Sequence, residues 1–227
     1  NITTLTGAAA DLNTAYAANG SSITGLGNEA ATLSDTTLAV SVLNTLDGNT
    51  TGTVNANTVT TLTGSASDLI TAYASGGISN LGDEAVSVSS GTASTSQANT
   101  LAAATSGVVT ATISDGDLST LAGLTETGNA YTITITDTSV DAAALNTLDG
   151  KTTVAVNASN ITTLTGAAAD LNTAYAANGS SLTGLGNEAA TLSDTTLAVA
   201  VLNTLDGNTS GAIDAANVTT LSGSASD

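Results

Sequence analysis

Residues 32–48 read TLSDTTLAVSVLNTLDG, and the stretch changes period partway along. TLSD at 32–35 alternates apolar and small polar residues, the two-residue period of a strand that turns Leu33 to one face. Beyond it, Leu38, Val42, Leu43 and Leu46 fall at helical spacing. A short strand followed by a short returning helix is therefore the expected unit.

That unit recurs. Strand-like segments appear as TLSD at 32–35, TVNA at 53–56, SVSS at 87–90, TISD at 112–115, TITD at 134–137, AVNA at 155–158, TLSD at 191–194 and AIDA at 212–215. Their apolar anchors are Leu33, Val54, Val88, Ile113, Ile135, Val156, Leu192 and Ile213. A second Leu follows each anchor in two alternating patterns. Leu46, Leu101, Leu148 and Leu205 come after a helix-like span, and Gly48, Gly150 and Gly207 are expected to end three of those helices in the left-handed conformation. Leu62, Leu121, Leu164 and Leu221 come sooner, after a shorter connection of the type VTTLTG. Extensions such as GAAADLNTAYAANG and GSASDLITAYASGG read as alanine-rich helices, with Leu12 and Tyr16 one turn apart and Asn19-Gly20 as a stop.

On a larger scale, residues 1–68 return at 160–227 with nine differences, among them Ile23/Leu182, Ser41/Ala200 and Asn55/Asp214. The expected fold is a repeat solenoid: a parallel β-solenoid with short helices in its coils, six coils to each 159-residue super-repeat. Strands stacked about 4.8 Å apart would advance such a super-repeat by roughly 29 Å. The chain reads as one continuous fragment over 1–227, with super-repeat 1–159 and a second copy beginning at 160. LSGSASD at its end stops where LTGSASD at 62–68 continues, so the fragment is expected to be truncated at both ends.

Composition narrows the chemistry. The 227 residues carry 19 carboxylates against one cation, Lys151, for a net charge of −18. A nucleic-acid backbone or an anionic lipid surface would be repelled, so neither nucleic-acid binding nor membrane insertion is expected. No His, Cys or Met is present, which removes imidazole bases, thiolate nucleophiles and soft metal ligands. An enzyme is not expected. The absence of Phe, Trp and Pro suits a narrow interior filled by Ala, Val, Leu and Ile and a ladder that needs every N–H donor.

The ligand that this surface would suit is a hard cation such as calcium, which takes carboxylate, amide and carbonyl oxygens. The candidates are Glu29, Asp83, Glu84 and Glu188 in the GNE and GDE loops, the strand-end Asp35, Asp115, Asp137 and Asp194, and Asp117 two positions beyond Asp115. A strand-end Asp can equally cap a following helix. NTLDG at 44–48, 146–150 and 203–207 reads as a joint in a scaffold, its Leu a core position and its Asp-Gly a turn.

ITTLTGAAADLNTAYAANG, GLGNEAATLSD and VLNTLDGNT resemble the long repeat regions of giant cell-surface and secreted proteins of cyanobacteria, including the class implicated in non-flagellar swimming. The resemblance covers most of the chain and implies an exported protein, extracellular or on the cell surface. In that setting the expected role is a structural repeat segment of a fibre, stalk or matrix, whose partners are further copies of itself joined end to end or laterally. The alternative is an adhesin or ligand-binding solenoid, stiffened by calcium or binding ice through its threonines.

Overall fold

Alternating Thr and Leu make short strands here because each finds a parallel partner one pass of the chain away, where Leu can stack on Leu and Thr can face outward. The computed structural model describes residues 2–224. It divides into two units, Asn1–Thr112 and Ile113–Asp227, each an α/β arrangement of short parallel sheets with no closed barrel. Eight helices lie among the described residues: α1 (Ala9–Ala17), α2 (Val40–Asn49), α3 (Ala66–Ala74), α4 (Thr95–Ala104), α5 (Leu118–Leu121), α6 (Ala142–Asp149), α7 (Ala168–Ala177) and α8 (Val199–Asn208).

The first unit holds two ladders. In one, Thr4–Gly7, Ala30–Leu33, Val54–Asn55 and Ile78–Ser79 pair in sequence order, Thr4 facing Ala30 and Val54 facing Ile78. In the other, Thr37–Ala39, Thr61–Ser65, Ala85–Ser90 and Val109–Thr112 pair so that Leu38, Leu62, Val86 and Val109 face one another in turn. All four of those side chains are buried. Helices α1 to α4 pack in the same order, each on the next.

The second unit repeats the scheme. Ser139–Asp141, Thr163–Gly166, Ala189–Leu192 and Ile213–Asp214 form one ladder, with Val140 facing Leu164 and Ala190 facing Ile213. Val156–Asn157 pairs with Leu182–Thr183, and Thr196–Ala198 with Thr220–Ser222. Helices α5 to α8 again pack in sequence order. The duplicated sequence folds alike in its two copies: α1 and α7 match, as do α2 and α8, Ala30–Leu33 and Ala189–Leu192, and Thr37–Ala39 and Thr196–Ala198, while Leu182–Thr183 is a strand of the second copy alone.

Three expectations change. First, the TLTG segments at 4–7, 61–65 and 163–166 are strands, where the sequence reading placed a connection. They subdivide the long steps between anchors, so paired positions lie only 23 to 26 residues apart, as with Ala31 opposite Val54 and Thr163 opposite Ala189. Leu121 alone of its group is helical, in the short α5, while Ile113 and Ile135 lie just past their strands and are buried. Second, Leu38 belongs to a strand, as does Val140 at the equivalent place before α6, and the inward helical faces are Val40, Leu43 and Leu46 on α2 and Ala142, Leu145 and Leu148 on α6. The cause is that TTLA pairs with the TLT beyond it before the helix can begin. Third, Gly48 and Gly207 sit inside their helices and Gly150 caps α6 with φ −69°, in the right-handed region. After α2 the chain leaves in extended form at Thr50, which is tied to the preceding pass.

Candidate functional site

Three loops with the sequence Gly-Asn-Glu or Gly-Asp-Glu bury their glutamates almost completely; Glu29, Glu84 and Glu188 are each 1% exposed. The loop supplies the donors. Gly27, Gly82 and Gly186 have φ of 127°, 135° and 126°, a conformation that favours glycine and folds the preceding amides back on the carboxylate. Glu29 Oε2 accepts from the N–H of Gly27 (2.7 Å) and of Asn28 (3.1 Å). Glu188 Oε2 accepts in the same way from Gly186 (2.7 Å) and Asn187 (3.2 Å). Glu84 takes the Gly82 N–H at 2.9 Å.

A tyrosine from the preceding helix closes each site. The Tyr16 hydroxyl donates to Glu29 Oε2 at 3.3 Å, and the Tyr73 hydroxyl donates to Glu84. Tyr175 is buried beside Glu188 and Thr209, but its hydroxyl makes no hydrogen bond. The linker between tyrosine and glutamate is two residues shorter in the Tyr73 copy than in the other two. In the two longer copies the second carboxylate oxygen, Oε1 of Glu29 and of Glu188, is buried without a hydrogen bond.

The next pass of the chain locks the same glutamates through their backbone. Thr50, Thr105 and Thr209 donate their hydroxyls to the carbonyls of Glu29, Glu84 and Glu188 at 2.7, 2.6 and 2.7 Å. Two residues on, the N–H groups of Gly52, Gly107 and Gly211 donate back to those hydroxyls, each at 3.0 Å. No side chain fits at these glycines. A Cβ would lie 2.2, 2.3 or 2.1 Å from the glutamate carbonyl oxygen. At the equivalent lock in the second unit Tyr131 stands where the others have Glu, and the Thr152 hydroxyl donates to its carbonyl at 2.7 Å, again across 21 residues.

Electrostatics agree with the geometry. The backbone amide of Gly27 is the main cause holding the Glu29 carboxyl below its ordinary range, against the opposing effect of burial. Burial is the chief cause raising all four tyrosines, and the neighbouring glutamates add to it for Tyr16, Tyr73 and Tyr175. Tyr131 is pushed up to about 12 by burial and by Glu126. At the first site the resting state is an ionised Glu29 beside a neutral Tyr16.

Three of the four strand-end aspartates cap helices. Asp35 Oδ2 accepts from the N–H of Ala9 at the start of α1 (2.8 Å), Asp194 from Ala168 at the start of α7 (2.7 Å), and Asp137 from Leu118 at the start of α5 (2.6 Å). In each case the carboxylate and the helix belong to adjacent passes, so one bond serves both capping and stacking. Asp117 caps α5 locally through the Thr120 N–H and the Ser119 hydroxyl, and the latter is the main cause lowering its carboxyl below the usual range. Asp115 lies half-buried in the turn before α5, and Asp83 is exposed beside Asn57 and Asn80 on a shallow polar depression. Among the described residues, no three acidic side chains come together in a group that could hold a metal ion. The structure brings the glutamates to tyrosines and amides, and Asp35, Asp117, Asp137 and Asp194 to helix ends.

NTLDG also works across passes. The side-chain amides of Asn44 and Asn146 donate to the carbonyls of Asp68 and Asp170, each at 3.0 Å. Asp47 and Asp149 accept from the hydroxyls of Ser75 and Ser181, each at 2.7 Å. Sequence reasoning missed Tyr16, Tyr73 and Tyr175 and the Thr-x-Gly partners. The constant interval of 21 residues from each Glu to its Thr was the available signal.

Among the described residues no helix is long and apolar enough to cross a membrane. Comparison with models of known families, with curated proteins and with solved structures finds no match to this chain.

Proposed function

We propose that both units are stretches of α/β-solenoid and that the chain is a structural repeat segment of an extracellular fibre, cell-surface stalk or matrix protein. The observation that carries this reading is the Glu-Tyr-Thr-x-Gly lock, built three times from the same residue types and each time joining one pass of the chain to the next. Glu29, Glu84 and Glu188 are engaged by amides and phenols, and Asp35, Asp117, Asp137 and Asp194 by helix ends. Side chains of this kind transmit load between passes. In such an array each coil contacts only its neighbours, and copies can be added without altering the rest. The partners are further copies of the same repeat, and the setting is outside the cell, in keeping with a chain that carries no cysteine and a net charge of −18.

The test is to lengthen the chain by one further 159-residue super-repeat and compare small-angle scattering of the two proteins. The greatest dimension is expected to grow by roughly 29 Å, six coils at about 4.8 Å each, with the cross-section unchanged. An increase in cross-section without growth in length would reject the solenoid.

A further inference from the structure

The chain contains two Asn-Gly dipeptides, Asn19-Gly20 and Asn178-Gly179, at equivalent places in the duplicated sequence. Asn-Gly is the dipeptide most open to spontaneous deamidation, because glycine leaves its own nitrogen unshielded. In that reaction the Gly nitrogen attacks the Asn side-chain carbon, a C–N bond forms, and ammonia leaves with the proton. Water then opens the five-membered succinimide to Asp or its isomer. All four residues are exposed, so water has free access.

The geometry withholds the other requirements. Asn178 Nδ2 donates to the Leu185 carbonyl at 2.9 Å, and its Oδ1 accepts from the Leu185 N–H at 3.2 Å. Asn19 makes the same pair of bonds with Leu26, at 2.8 and 3.3 Å. Both ends of each amide are thus held by a residue seven positions on. The nucleophile is committed as well: Gly20 N–H donates to the Ile23 carbonyl at 2.7 Å and Gly179 N–H to the Leu182 carbonyl at 2.8 Å. Ring closure further requires Cβ of Asn to eclipse the Gly nitrogen about the Cα–C bond. Asn178 has ψ 132°, which turns the nitrogen well away from that eclipse. Reaching the attacking conformer means breaking three hydrogen bonds together, since a reaction of this kind needs its atoms at near-attack distance and aligned.

We propose that Asn19 and Asn178 are locked modification sites: exposed to water, yet withheld from deamidation for as long as the loops at 18–26 and 177–185 keep their hydrogen bonds. The same bonds explain why asparagine stands there, since the acid product would lose the Nδ2 donor that holds the Leu carbonyl. Each site then records unfolding irreversibly, because a loop that opens long enough to deamidate cannot restore the original pair of bonds.

The experiment is to incubate the whole chain at mildly alkaline pH, folded and in denaturant, and to follow the amide-to-acid mass gain at each site by peptide mapping. Circular dichroism of the folded sample is recorded alongside. Both sites are expected to deamidate at least about tenfold more slowly in the folded chain than in the denatured one. A smaller ratio at either site, with the fold intact, overturns the proposal.

Discussion

A single hydroxyl separates the three glutamate sites. Tyr73 closes a hydrogen bond to Glu84, whereas Tyr175 faces Glu188 without one. Tyr73→Phe is therefore expected to destabilise the fold by about 2 kcal/mol, the usual worth of a bond to a charged acceptor, and Tyr175→Phe by well under half of that. Denaturant unfolding of the two variants checks the order. Gly107→Ala is a harsher change, because its Cβ would fall 2.3 Å from the Glu84 carbonyl oxygen. A loss of about 1–3 kcal/mol is expected from the forced shift, read in the same way. The glutamates themselves were legible in the sequence as conspicuous oxygen-bearing residues. Their partners were not, because the donors at Gly27, Gly82 and Gly186 are backbone amides whose direction depends on φ, and no side-chain alphabet spells that. A carboxylate beside Gly and Asn reads on paper as a cation ligand, and in the fold one of the Glu29 oxygens is held by the amides of its own loop.

At the scale of elements, the alternation of strand and helix could be read directly, but the boundary between them could not. TTLAV carries both a two-residue period and a helical one, and the ladder partner at 61–63 decides in favour of strand through Ala39. The seam of α2 consequently shifts to Val40, Leu43 and Leu46. Gly48 illustrates the consequence, since it lies within α2 with open space around its Cα. Gly48→Ala is expected to stabilise the chain by about 1 kcal/mol, where a left-handed helix end would have made the same change unfavourable. Thermal unfolding distinguishes the two signs. Asp141 accepts from the Ala144 N–H at 3.0 Å and caps α6, so Asp141→Ala is expected to cost about 1 kcal/mol and to leave helices of the first unit unaffected.

For the whole molecule, buried tyrosines and stapled carboxylates set a window of pH. All four tyrosines have raised values in the fold, so the stability they contribute is complete below about pH 10, the ordinary phenol value, and is lost as pH rises through the folded values, which reach about 12 for Tyr131. Glu29 and Asp117 have lowered values, so their contribution is present above about pH 4 and is lost as pH falls through the folded values. Tyrosinate absorbance is expected to stay flat near pH 10 and then rise together with loss of circular dichroism. A phenol that ionises near pH 10 while the fold persists would contradict the burial described here.

The central claim, that passes of the chain are joined one to the next by equivalent locks, is tested most directly by pulling a single molecule from its two ends. Paired positions lie 23 to 26 residues apart, as between Val86 and Val109 or Thr4 and Ala30. Extension is therefore expected to proceed in repeated steps, each releasing about 80 Å of chain at roughly 3.4 Å per residue, as successive coils peel from their neighbours. Release of a whole unit in one event, with no coil-sized steps, would contradict the account.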